Sequence, residues 1–214
     1  RRWRMARPSS AAKTASTIKN MQANDNKKSA AQKCREILDR AEALYEVKRF
    51  KLAELSFLEA QLAYEADNLK SNINYSKVLA DLGLLYATMG RYNQAEFYSS
   101  EALSIREQTL GKESKAYAAS LNNMAVLYQE TARFNESENY FNEALTTVEK
   151  LFGKETQEYA VVLNNQSILY AEIGRIDQAV QKLNTAIAIV EKLNLNLNSQ
   201  VGFQSNLALL YQQT

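Results

Sequence analysis

From Ala31 onward, apolar residues return every three or four positions, the spacing of helices with one face turned inward. The pattern comes in pairs, a helix A followed by a helix B. Inward positions of helix A are Ile37, Ala41 and Leu44, then Leu79, Gly83 and Tyr86, then Leu121, Ala125 and Tyr128, then Leu163, Ser167 and Tyr170. Helix B carries Ala53, Ala95, Ser137 and Ala179 near its start and Ala60, Ala102, Ala144 and Ala186 along its seam. Phe57, Phe141 and Leu183 fill between them, and Ser99 breaks that column. Members of each column lie 42 residues apart, so that 121–144 returns as 163–186 and as 79–102, with 37–60 one step earlier. Self-similarity at a fixed period of this length marks a stacked repeat protein. The expected fold is an all-α solenoid of stacked helix pairs. It divides into a leader of residues 1–30 and a solenoid of residues 31–214, with repeats at 34–75, 76–117, 118–159 and 160–200 and a partial one at 201–214.

The connections have their own logic. Gly90 and Gly174 follow helix A by the distance of a left-handed C-cap, where glycine carries no Cβ penalty. Lys48 and Ala132 stand at the same place, which predicts either strain or a different turn. Between repeats, residues 109–117 and 151–159 read as a helix end, a glycine and a polar start to the next helix. Tyr75, Tyr117 and Tyr159 keep the same register.

Small, Tyr, Ala, Phe and Ala positions at these spacings resemble the tetratricopeptide repeat. The 42-residue period, with ALSIREQTLGKE (102–113), SLNNMAVLY (120–128) and VLNNQSILY (162–170), resembles the longer repeats of the kinesin light chain family and its bacterial relatives. The resemblance covers about residues 34–214 and implies an all-α, right-handed superhelical solenoid of tetratricopeptide-type helix pairs. It departs at Gln166, where the family usually has Leu, and in the DHP that normally follows LGK. The resemblance implies a non-catalytic scaffold or adaptor that binds a peptide segment or a helix of a partner protein in a concave groove. A regulatory peptide-sensing module that controls an effector is the alternative.

Stacked helix pairs rotate slightly from one to the next, so the A helices line the concave wall. Their positions that turn away from helix B are Asn122, Asn123, Val126 and Glu130, then Asn164, Asn165, Ile168 and Glu172, then Ser205, Asn206 and Leu209. Lys77, Asp81 and Leu84 stand one repeat earlier. Asparagine offers donors and an acceptor on a short stem, so a column of them can pair with an extended backbone without demanding a sequence. The competing role is to bond the neighbouring A helix and hold the stack. In similar repeats the asparagine column contacts a bound segment. Cochaperone repeats clamp a carboxylate at the positions of Leu38 and Glu42, with Glu46 a turn on; here a carboxylate would meet acid.

Composition narrows the chemistry. The chain has no histidine, which removes imidazole bases, nucleophile pairs built on them and histidine metal ligands. Cys34 is the single cysteine, expected as a buried thiol, so neither a disulfide nor a cysteine metal cluster forms within the chain. No catalytic residue, metal ligand or cofactor is assigned. Tyr86, Tyr128, Tyr170 and Tyr211 are expected in the core, with tips reaching backbone acceptors. Glu54, Glu96 and Glu138, at one-repeat spacing, are expected to face solvent or to pair with Arg91 and Arg133. The net charge of +2 hides an asymmetry, because residues 1–28 hold eight Arg or Lys against one Asp. The leader therefore carries +7 and the rest of the chain −5. With no basic stripe along the repeats, nucleic acid is not an expected partner, and no apolar run is long enough to span a bilayer. Leu207, Ala208 and Tyr211 form an apolar stripe that no helix B follows, which predicts self-association or further chain at that end.

Overall fold

In a computed structural model of the chain, residues 29–194 and 202–208 are described; the leader of residues 1–28 and Leu209, Leu210 and Tyr211 lie outside them. The helices are α1 (Ala30–Glu46), α2 (Phe50–Ala66), α3 (Ile73–Thr88), α4 (Tyr92–Leu110), α5 (Lys115–Glu130), α6 (Phe134–Phe152), α7 (Gln157–Glu172) and α8 (Ile176–Lys192). Residues 202–208 form a further helical turn, and the described residues contain no strand. Odd-numbered helices are A, even-numbered are B. Helices α3, α5 and α7 begin three residues before the expected repeat starts, because their N-caps are Asn72, Ser114 and Thr156. The side chains of Ser114 and Thr156 accept from the amides of Tyr117 and Tyr159.

Each A helix packs on the B helix that follows it, and each B helix packs on the next A helix. Successive A helices also touch, α1 with α3, α3 with α5 and α5 with α7, whereas successive B helices do not. The A helices are therefore the inner wall of the curve, and the B helices the outer.

The columns facing the A–B seam behave as the spacing predicts. Ala41, Ala53, Ala60, Ala95, Ala102, Ala125, Ala144, Ala179 and Ala186 are all fully buried. The broken column has a packing reason: a Cβ on Gly83 would lie 2.2 Å from Ser99 Oγ, so α3 and α4 meet where both side chains are small. The A helices bury a second face that the seam columns do not describe. Leu82, Met124 and Gln166 lie in one such column, Leu85, Leu127 and Leu169 in another, all buried. Gln166 stands in this apolar column with its amide nitrogen donating to Asn142 Oδ1 at 2.8 Å and its Oε1 buried without a partner among the described residues. Leu38 belongs to this core and not to the groove, which seals the position that a carboxylate clamp would use. Cys34 is buried as expected, and burial pushes its thiol pKa up.

All four A–B turns take one shape. Lys48, Gly90, Ala132 and Gly174 have φ of 58°, 70°, 57° and 74°. The next amide returns to the helix, as Arg91 N does to Tyr86 O and Arg133 N to Tyr128 O, both at 2.8 Å. This is the Schellman closure, so Lys48 and Ala132 are strained members of the same turn.

Candidate partner-binding groove

The expected groove residues lie on α5, α7 and the turn at 202–208, and the structure divides them by what their polar atoms already do. Asn165 Nδ2 donates to Asn122 Oδ1 at 3.0 Å across the α5–α7 seam. Asn206 Nδ2 donates to Asn164 Oδ1 at 2.9 Å across the next one, and Asn164 Nδ2 reaches Asn165 Oδ1 at 3.3 Å. Four asparagines thus form one ladder that ties three repeats together, each with donor or acceptor capacity left over. Asn123 stands beside the ladder, exposed, as do Glu130 and Glu172. Ile168 is 37% exposed, and Val126 is half-buried against the core.

Two cavities open between successive A helices. One, of about 310 Å³, lies between α5 and α7, with Ala118, Val148, Phe152, Val161 and Val162 as apolar lining and Asn122 and Asn123 at its rim. The other, of about 330 Å³, lies between α7 and residues 202–208 and is lined by Val161, Val190 and Phe203 with Asn164 and Asn206. Lys115 beside the first cavity is paired with Glu158 at 2.6 Å, which leaves that rim without net charge. Of the expected apolar end, Leu207 packs partly buried against the core and Ala208 is exposed.

Toward α1 and α3 the groove changes character. Glu42, Glu46, Lys77 and Asp81 surround a smaller hollow, of about 150 Å³, with Leu84 and Tyr45. Lys77 pairs with Glu42 and lies 3.8 Å from Asp81 Oδ2. Burial raises the Asp81 carboxyl to about 6, with Lys77 pulling it down and Glu42 pushing it up.

The tyrosines sit in the core, but their tips do not reach backbone acceptors. Tyr86, Tyr128 and Tyr170 donate to Glu54, Glu96 and Glu138 of the preceding B helix at 3.1, 3.1 and 2.9 Å. The same carboxylates accept from Arg91, Arg133 and Arg175 at 2.7, 2.8 and 3.1 Å. Each guanidinium lies 4.1–5.8 Å from its tyrosine ring centre. Burial and the carboxylate contact push all three phenols up to about 12. One Tyr–Glu–Arg clamp closes each of the three junctions α2–α3, α4–α5 and α6–α7, so these recurring carboxylates are structural. The arginines that follow the turns were the signal for it, and Arg175 completes the set.

Among the described residues, no group of His, Cys, Asp or Glu could hold a metal ion, and no helix is long and apolar enough to cross a membrane.

Comparisons with known proteins agree with this architecture. Two tetratricopeptide repeat family models match, one over residues 77–114 and one over residues 116–192, together more than half of the chain. Among solved structures, BtubC (BKLC) from P. vanneervenii is similar with 24% identity and a TM-score of 0.71, over 95% of this chain and 81% of that one. A putative kinesin light chain with nearly identical TPR-like repeats from Podosopora anserina is similar at 19% identity and a TM-score of 0.69, over 84% and 86%. A Rap protein complexed with Competence and Sporulation Factor is similar at 18% identity and a TM-score of 0.73, over 87% of this chain and 50% of that one. At these identities the likeness establishes the fold. The search of curated proteins gave no match. The matched repeats and the shared solenoid place this chain in the tetratricopeptide repeat family.

Proposed function

We propose that the chain is a non-catalytic adaptor whose concave wall, from α5 to residues 202–208, holds a peptide segment or a helix of a partner protein. Tetratricopeptide repeats are in general protein–protein interaction modules. The observation that carries the finer reading is the recurrence of an apolar cavity with an amide rim at the same place in two successive repeats. Apolar clefts with a few convergent polar groups are where ligands bury surface. Asn123 and Ile168 offer the exposed contacts. Asn122, Asn164, Asn165 and Asn206 bind through the capacity the ladder leaves over. Val126 backs the wall, and Glu130 and Glu172 border it.

A sensor reading has one observation in its favour, the similarity to a Rap protein solved with Competence and Sporulation Factor. In that reading the same groove takes a signalling peptide and biases an effector.

A photo-crosslinking residue at position 168 tests the groove. It should join a contiguous segment of a partner polypeptide, and the same residue at exposed position 139 on α6 should not. Equal crosslinking from both positions contradicts the proposal.

A further inference from the structure

The two cavities are related by the repeat register. Val148 of α6 floors the first and Val190 of α8 the second, 42 positions apart, and Asn122 and Asn164 occupy matching places at their rims. The same column earlier in the chain reads Tyr64 on α2 and Arg106 on α4. Its sequence is therefore Tyr, Arg, Val, Val: two large side chains, then two small ones.

The large ones fill the space that the small ones leave. Arg106 is 7% exposed and reaches between α3 and α5. Its Nε donates to Ser76 Oγ at 3.2 Å, and its Nη1 donates to Ser120 Oγ at 2.6 Å and Ala116 O at 3.1 Å. Ser76, Ser120 and Ala116 match Ala118, Val162 and Glu158, which line the first cavity. Arginine among serines at one junction is replaced by valine among alanine and valine at the next. A buried guanidinium needs acceptors, and the junction that holds it supplies them. Tyr64 fills the matching space one repeat earlier by ring packing alone, fully buried and ring to ring with Tyr75 at 6.2 Å.

We infer that this column decides where the groove grips: Tyr64 and Arg106 plug the first two junctions, and Val148 and Val190 leave two sockets for large apolar side chains of one extended segment. This rests on the groove reading above and adds the partner's chemistry to it. The segment carries two large apolar residues separated by one repeat of groove length, with uncharged positions between them. Charge complementarity favours that occupant, because Lys115 and Glu158 neutralise each other at the first socket. The rest of the two rims consists largely of amides, Asn122, Asn123, Asn164, Asn206 and Gln157, which suit a peptide backbone.

The test uses the full chain and a displayed library of random twelve-residue peptides. Selected peptides should carry two large apolar residues at a constant spacing. Val148→Arg should weaken their binding by roughly tenfold or more, the loss expected for one buried apolar anchor. The triple change Ala118→Ser, Val148→Arg and Val162→Ser transplants the whole plug, and so keeps the test decisive if the single variant unfolds. Arg106→Val with Ser76→Ala and Ser120→Val should select peptides with a third apolar residue. Peptides that lose binding on Ile168→Glu but bind the transplanted plug normally would overturn the sockets and leave the groove standing. Peptides indifferent to both, or no selection at all, would overturn both.

Discussion

Ala132 and Lys48 show what the turn demands of a single residue. Both hold φ near 57° at a position where Gly90 and Gly174 stand in the other repeats. A Cβ there costs about 1–2 kcal/mol, part of which glycine loses again through the entropy of the unfolded chain. Ala132→Gly should therefore stabilise the protein by about 0.5–1 kcal/mol, read as a rise in the thermal midpoint; a fall would mean that the closure depends on the alanine side chain. Asp81 makes a pH-dependent prediction. Its folded pKa of about 6 lies above the ordinary 3.8. The stability linked to its proton is thus fully present below 3.8 and is lost as pH rises through about 6. Asp81→Asn should match the parent near pH 4 and exceed it by about 2 kcal/mol at pH 8 in urea titrations. Equal pH profiles would show that Lys77 already balances the carboxylate.

At the scale of helices, α3 and α4 approach closely at Gly83 and Ser99. Gly83→Ala should destabilise by about 1–3 kcal/mol, because Ser99 N and Ala95 O lie within 3.3 Å of the new Cβ and the backbone must shift. Unchanged denaturant midpoints would show that the two helices separate freely. The seam columns, the turn glycines and the period were legible because each repeats in sequence. Ser99 was legible only as a broken column, since its reason is a glycine 16 residues away on another helix. The second buried face of the A helices escaped notice for a related reason. Leu82, Met124 and Gln166 differ in chemistry, and a helix buried on two sides loses the one-sided period that sequence reading relies on. The groove asparagines were found by register, but register could not say that Asn122, Asn164, Asn165 and Asn206 spend amide groups on each other while Asn123 does not. Arg106 was missed, because its column reads Tyr, Arg, Val, Val and no side chain recurs across its first three repeats.

For the whole molecule, the clamps explain how a stack without a global core holds together. Each Tyr–Glu–Arg set joins a B helix to the next A helix, and the ladder joins A helices directly, so every junction carries polar bonds as well as apolar burial. Repeat stability is then close to a sum of neighbour terms, and the groove is as rigid as its junctions. The inner wall is uneven along its length. Near α1 and α3 it is acidic, and from α5 onward it is amide-rimmed with open apolar cavities. A partner segment should therefore engage the later repeats. The most direct measurement is methyl NMR on the full chain bound to a library-selected peptide. Intermolecular contacts from the peptide's apolar side chains to the methyls of Val148, Val161 and Val190 are the predicted result, and contacts confined to the exposed Leu55 and Leu62 of the outer helix α2 would contradict it.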